Sequence, residues 1–328
     1  MRQPMHRRSF LMTAAALAAL HRAGPAAAAE ASFNGPLRIV VPAAAGGFTD
    51  ISSRMVADGL ARRIDQPVLV DDKPGASGMI GSEIVAHGPP DGSMVVMGNI
   101  QTHAANVGMF KERLRYDVLR DFAPVTRVAM GYNVLVVLPS SPVHRIDDLM
   151  ALSKQQTLTY GSGGSGSSAH LATEMLRQRA GIENMLHVPF RANAPALQAL
   201  LSGQISMLFD TTPSATAQVR AGTLRAIAVT SSARLPSLPG VPTVAESLPG
   251  FEVAVWGGLY APARTPPKWV DALDAQVQAL LKDPAMVQRF DQLGFAADTL
   301  GPADFAAFTK AEIAKWSEVI KVAKITAD

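Results

Sequence analysis

The chain has 328 residues, 48% of them hydrophobic, with 30 Lys and Arg against 27 Asp and Glu and no cysteine, which is length enough for two domains with cores of their own. Absent cysteines exclude disulfides, thiol nucleophiles and thiolate metal sites together. Arg2, Arg7, Arg8 and Arg22 lie within residues 1–29, which hold no acid, so the rest of the chain carries 26 basic residues against 27 acidic ones; no basic tract is left to follow a phosphate backbone, and nucleic acid is not expected as a partner.

Arg7 and Arg8 precede the apolar residues 10–20, and Ala27-Ala28-Ala29 stand before Glu30. This is the plan of a signal peptide. His6-Arg7-Arg8-Ser9-Phe10-Leu11 is similar to a twin-arginine export signal, although the apolar run would also serve general secretion. That run is too short for a bilayer, which needs about 20 residues. The expectation is a signal peptide over residues 1–29, cleaved near Ala29, and a soluble periplasmic product.

Residues 37–42 (LRIVVP) read as a strand that ends in a glycine loop, after which Ile51, Met55, Val56, Leu60 and Ile64 recur at helical spacing. A strand over 67–70, the turn DDKPGASG, a helix over 79–86 and a strand over 93–98 complete a βαβαβ unit. Residues 122–138 are long enough to cross into a second lobe. There the plan repeats: strand 158–160, loop GSGGSGSS, helix 169–180, strand 185–190, loop RANAP, helix 196–201 and strand 204–209. Residues 251–262 could cross back, and helices over 266–282, 284–293 and 302–324 each open near a proline. The expected division is residues 30–130 with 254–328 as one discontinuous α/β domain and 131–253 as the other, joined by two linkers that allow hinged closure.

In parallel α/β sheets ligands bind outside the carboxyl ends of the strands, where loops feed helix N-termini. Free N–H groups and the helix dipole there favour an anion. The stretches so placed are Gly46-Gly47-Phe48-Thr49-Asp50, Gly75-Ala76-Ser77-Gly78, Gln101-Thr102-His103, residues 162–168, Arg191-Ala192-Asn193-Ala194 and Asp210. Hydroxyls and amides can orient carboxylate oxygens, Arg191 can supply a bidentate pair, and Asp210 can accept from a hydroxyl or amino group. Helix capping is the competing role for Thr49, Asp50, Ser167, Ser168 and Asn193. His103 and His170 lack metal-type spacing and serve equally as packed donors. Trp269 and Trp316 fit a core.

Gly161, Gly163 and Gly166 also have the G-x-G-x-x-G spacing of a dinucleotide loop. The acid expected about 20 positions on is missing, and Arg191 stands there instead. An exported NADP-dependent oxidoreductase is therefore the alternative to an anion-binding protein. Hydrolase signatures fail: Gly163-Gly164-Ser165-Gly166-Ser167 misses G-x-S-x-G at its last position, and no H-E-x-x-H occurs. The expectation is a binding protein, not an enzyme, with no cofactor and no metal.

Many ordered motifs carry a resemblance: Val40-Val41-Pro42, Lys73-Pro74-Gly75-Ala76-Ser77-Gly78, Pro90-Asp91-Gly92, Asn133-Val134-Leu135-Val136-Val137, Tyr160-Gly161-Ser162, His170-Leu171-Ala172, His187-Val188-Pro189-Phe190, Phe209-Asp210 and Gly240-Val241-Pro242-Thr243. From about residue 36 onward the chain resembles the Bug family. The resemblance implies a periplasmic solute-binding receptor of the tripartite tricarboxylate transporter type, with a two-lobed α/β periplasmic-binding-protein (Venus-flytrap, type II-like) fold. It also implies a small organic acid in the interlobe cleft and membrane transporter subunits or a sensor kinase as partners; the protein is expected to be monomeric. Carried across, the binding loops are Gly47, Phe48, Thr49 and Asp50; Ser77 and Gly78; Thr102 and His103; residues 162–168, with Ser162, Gly163, Gly166, Ser167 and Ser168 singled out as ligand-binding; Arg191, Ala192 and Asn193; and Asp210. Gln101 is added from the strand-end reading. Ala43-Ala44-Ala45, Phe48 and Met79 depart from the family pattern, which suggests a more apolar first-lobe wall able to stack an aromatic acid.

Overall fold

The computed structural model describes Phe33 and residues 35–325, so the expected signal peptide lies outside the described residues. β1 (Leu37–Val41), β2 (Val68–Asp72) and β3 (Met94–Asn99) run parallel in the order β2-β1-β3, linked by α1 (Phe48–Ile64) and α2 (Met79–Ala86). β1 is a continuous apolar run because both of its faces are covered: Ile39 and Val41 enter one core cluster and Val40 another. A π-helical turn over Gln101–Ala105 continues into α3 (Asn106–Met109).

β4 (Phe122–Val137) is 16 residues long and changes partner partway. After it come α4 (Ile146–Ser153) and then β5 (Leu158–Ser162), α5 (Ser168–Arg179), β6 (Met185–Pro189), α6 (Asn193–Leu201) and β7 (Met207–Thr211). These strands are again parallel, in the order β6-β5-β7, so the second unit repeats the plan of the first. α7 (Thr212–Arg220), β8 (Arg225–Val229) and α8 (Val244–Ser247) lead to β9 (Ala254–Pro262). Residues Phe122 to Tyr132 of β4 pair with β9, whereas Asn133 to Val136 pair with β7 and Val134 to Val137 with β8 on the other edge. Buried Thr230 joins the two crossing strands at this point. Its backbone N–H donates to the Asn133 carbonyl at 2.9 Å, its carbonyl accepts from Val253 N–H at 3.0 Å, and its hydroxyl donates to the Val253 carbonyl at 2.7 Å.

The chain closes with α9 (Pro267–Leu281), α10 (Pro284–Gln292), the short β10 (Ala296–Ala297) and α11 (Pro302–Ala323). Gly59 of α1 leaves room for Leu280 of α9. Trp256 of β9 and Trp316 of α11, both fully buried, donate their indole N–H groups to the same Glu312 oxygen at 2.9 and 3.0 Å. Trp269, buried in a core cluster of its own lobe, and Trp316 are core residues, as their helical stripes predict. No helix among the described residues is long and apolar enough to cross a membrane.

Three local expectations shift. α1 starts at Phe48 with Gly47 as its N-cap, so Thr49 and Asp50 are inside the first turn. α6 starts at Asn193 after an Ala192 cap, because Pro195 is accommodated within the first turn. Residues 204–206 only approach the sheet, and β7 begins at Met207.

Candidate ligand-binding site

Every predicted loop lies beyond the carboxyl end of a parallel strand. In the first lobe the β1–α1 loop turns at Gly46, whose φ of 84° suits glycine. Asp50 clamps this turn: one oxygen accepts from Gly46 N–H at 2.7 Å and the other meets Arg54 Nε at 2.6 Å. Asp50 is 3% exposed and is spent on the loop rather than offered to a ligand. Thr49 hydroxyl accepts from Asn99 Nδ2 at 3.3 Å, which fastens this loop to the end of β3. The next loop is strained, with Ala76 and Ser77 both in the left-handed region, at φ 47° and 54°. Gly78 follows at φ 79°, where a Cβ would stand 2.7 Å from the Pro42 carbonyl.

In the second lobe Ser162 is fully buried, its hydroxyl 2.6 Å from His187 Nε2 and accepting from Gly164 N–H at 3.1 Å. Ser167 caps α5 by accepting from His170 N–H; Ser168 opens the helix. Asn193 Nδ2 donates to Asp210 Oδ1 at 3.3 Å, and Thr211 N–H donates to the same oxygen at 2.8 Å. Asp210 Oδ2 is buried without a hydrogen-bond partner. Burial raises the Asp210 pKa above the ordinary carboxyl value, against the lowering effect of its donors.

The two sets of loops meet at Ser165. Its carbonyl accepts from Gln101 Nε2 at 2.7 Å and from the Ser77 hydroxyl at 3.4 Å, both first-lobe groups. Gly166 at φ 80° faces Met109, Asn106 and Gln101 across the same gap. Gly47, Ser77, Gly78, Gln101, Ser162, Gly163, Gly166, Ser167, Ser168, Ala192, Asn193 and Asp210 therefore belong to facing loops. Arg191 is exposed at the rim.

Some predicted side chains turn elsewhere. Phe48 is buried edge-to-face against Phe295, with centroids 4.7 Å apart, and packs on Gly257. It is a core ring of the first lobe, so the expected stacking on an aromatic acid is corrected. His103 is fully buried, stacked on Tyr260 at 4.1 Å and packed against Phe122, and burial lowers its pKa to about 3. It is a neutral interior ring that bonds Thr102 Oγ1 through Nδ1 at 2.9 Å. Thr102, also fully buried, is engaged with Asn99 and supports the turn from behind. Ser165 lies in the predicted stretch 162–168 and contributes its backbone carbonyl, whereas the sequence reading missed Asn99 and Asn106, which tie the first-lobe loops together. Asn99 follows directly from its place at the end of β3.

The glycine spacing has an internal cause. A Cβ on Gly161 would press on Ile205 at 2.5 Å, one on Gly163 would stand 2.7 Å from Asn193 Oδ1, and Gly166 needs its positive φ. Packing and a turn account for all three, with no nucleotide required.

Two α/β lobes joined by a shared ladder, with strand-end loops turned toward one another, define a two-lobed periplasmic binding protein. Residues 52–325 match the model of the tripartite tricarboxylate transporter family receptor, and the chain belongs to that family. It is 36% identical over 297 residues to a UPF0065 protein from the tcbD-tcbE intergenic region of Pseudomonas sp. strain P51, covering 89% of this chain and 88% of that one. It is similar to the solved structure of R. palustris Rpa4515 with adipate, at TM-score 0.84 and 34% identity, covering 90% and 99% of the two chains. It is also similar to MatC from Rhodopseudomonas palustris with bound malate, at TM-score 0.80 and 31% identity over 88% and 99% of the chains. It is similar as well to the solved structure of the periplasmic binding protein BugD, at TM-score 0.81 and 32% identity, covering 90% and 99% of the two chains.

Proposed function

We propose that this chain is exported through a signal peptide over residues 1–29, cleaved near Ala29, and captures a small organic acid between its lobes as a cofactor-free monomer. It would deliver the acid to membrane subunits of a tripartite tricarboxylate-type transporter. In this reading the lobes are residues 30–130 with 254–328, and 131–253. The observation that carries it is the convergence of strand-end loops from both lobes on Ser165 and Gly166, with the N-termini of α1, α5 and α6 behind them. Such N-termini favour a carboxylate through free N–H groups and the helix dipole. Asp210 Oδ2, buried and unpartnered, would accept from a hydroxyl, an amine or a protonated carboxyl of the ligand. Adipate and malate on two relatives point to the same ligand class.

The test is thermal unfolding of residues 30–328 with adipate, malate, citrate, an aromatic acid and NADP. A carboxylate at a hundredfold excess over its Kd adds about 2.7 kcal/mol. Stabilisation by NADP alone would overturn the reading in favour of a dinucleotide enzyme.

A further inference from the structure

Behind the second-lobe loop, two histidines are stacked. The rings of His170 and His187 lie 4.0 Å apart and 4° from parallel, and Tyr160 covers the other ring neighbour, His187, at 4.9 Å. Each histidine holds a different point of the loop. His187 Nε2 meets the Ser162 hydroxyl at 2.6 Å where the loop leaves β5, and His170 Nδ1 accepts from Gly166 N–H at 3.0 Å where the loop meets the first lobe. Gly166 adjoins Ser165, whose carbonyl takes the bonds from Gln101 and Ser77.

We propose that His170 and His187 are positioning residues that set the second-lobe loop for carboxylate capture and make that capture acid-sensitive. This rests on the binding-protein reading above. Because His170 Nδ1 accepts a backbone N–H, the neutral ring carries its proton on Nε2. Acid can add a proton only at Nδ1, which turns the contact with Gly166 into donor against donor and frees the loop. The stack limits the escape: a second proton on His187 would place two cations at ring-contact distance.

Ionisable groups stand on the surrounding elements, and they bond partners other than Gly166. Tyr160 of β5 donates to Glu174 at 2.6 Å, and Glu174 of α5 is also held by Arg177 at 2.7 and 2.9 Å. Asp210 of β7 holds Asn193 and Thr211 through Oδ1, and its Oδ2 is the acceptor assigned to the ligand above. From α11 it is the Ala323 carbonyl that reaches this helix, accepting from Arg177 at 3.3 Å, while Lys321 and the adjoining Lys324 are exposed. The sign follows. The set loop requires a His170 whose Nδ1 is unprotonated, since that nitrogen accepts from Gly166 N–H. Affinity is present where that ring is neutral and is lost as pH falls through its titration, by up to tenfold per pH unit for one coupled proton.

The test titrates adipate and malate calorimetrically into residues 30–328 between pH 5.5 and 8.0, for the unaltered chain, His170→Asn and His170→Phe. Asparagine puts a non-titrating oxygen near the place of Nδ1, while phenylalanine keeps the stack and removes the acceptor. Expected at pH 7.5 is a Kd for His170→Asn within about threefold of the unaltered chain, and a Kd for His170→Phe at least tenfold weaker. As pH falls from 8.0 to 5.5 the unaltered chain should lose affinity relative to His170→Asn; protonation of the ligand acts on both chains and cancels in the ratio. A ratio independent of pH overturns the proposal. If neither acid binds at pH 7.5, the carboxylate choice has failed and a second readout decides: the Gly166 amide resonance should move with pH in the unaltered chain and stay fixed in His170→Asn. An amide that titrates identically in both overturns the positioning role.

Discussion

At Gly78 two independent constraints coincide, a φ of 79° and a Cβ position 2.5 Å from Thr102 Cγ2 and 2.7 Å from the Pro42 carbonyl. Gly78→Ala should therefore destabilise the protein by about 1–3 kcal/mol, read as a lower urea midpoint at unchanged slope. Asp210 poses the opposite problem, since its geometry is relaxed and its charge is not. A carboxyl whose folded pKa is raised binds more protons folded than unfolded, so its contribution to stability is present at low pH and falls as pH climbs from the unfolded value near 3.8 through the raised folded one. The difference in unfolding free energy between the unaltered chain and Asp210→Asn should thus move against the unaltered chain as pH rises from 3.5 to 7. A pH-invariant difference would mean that Asp210 ionises freely. Ligand binding should suffer in Asp210→Asn even where stability gains, because Oδ2, the buried oxygen left without a hydrogen bond, is changed.

At the scale of elements, α11 is fastened to β9 through one carboxylate oxygen. Glu312→Ala would leave the indoles of Trp256 and Trp316 without an acceptor, at about 1–3 kcal/mol for each buried N–H. Glu312→Gln, which retains an oxygen, should lose less, and urea unfolding followed by tryptophan fluorescence separates the two. Elements were legible in the sequence where a short period repeats, as in the apolar run of β1 and the helical stripe from Ile51 to Ile64. β4 was visible as a long apolar segment, but its change of partner between Tyr132 and Asn133 depends on strands more than seventy residues away and leaves no local mark. Likewise the start of α1 hides because Gly47 caps without a side chain. The loops of the site could be read, since glycine and strand ends announce them. Which side chains turn inward could not: Phe48 is claimed by Phe295 and His103 by Tyr260, partners remote in sequence, and the Ser165 carbonyl has no residue signature at all.

Across the whole molecule, capture depends on how readily the lobes come together before any ligand arrives. Gln101 reaches the Ser165 carbonyl from the first lobe at 2.7 Å, against 3.4 Å for Ser77. Further out, Arg177 of the second lobe reaches the Ala323 carbonyl at 3.3 Å, a longer contact at the far end of α5. A net hydrogen bond is worth about 0.5–1.5 kcal/mol, so losing the Gln101 contact should lower the closed population by about two- to twelvefold. Apparent affinity scales with the competent fraction when that fraction is small. Gln101→Ala should accordingly weaken carboxylate binding by up to that factor and enlarge the radius of gyration of the unliganded chain, while the liganded chain keeps its size. Ser77→Ala, removing a bond at the edge of hydrogen-bonding distance, should do much less. Scattering with and without ligand checks both variants. Equal radii and equal Kd for Gln101→Ala and the unaltered chain would show that closure is driven by the ligand alone.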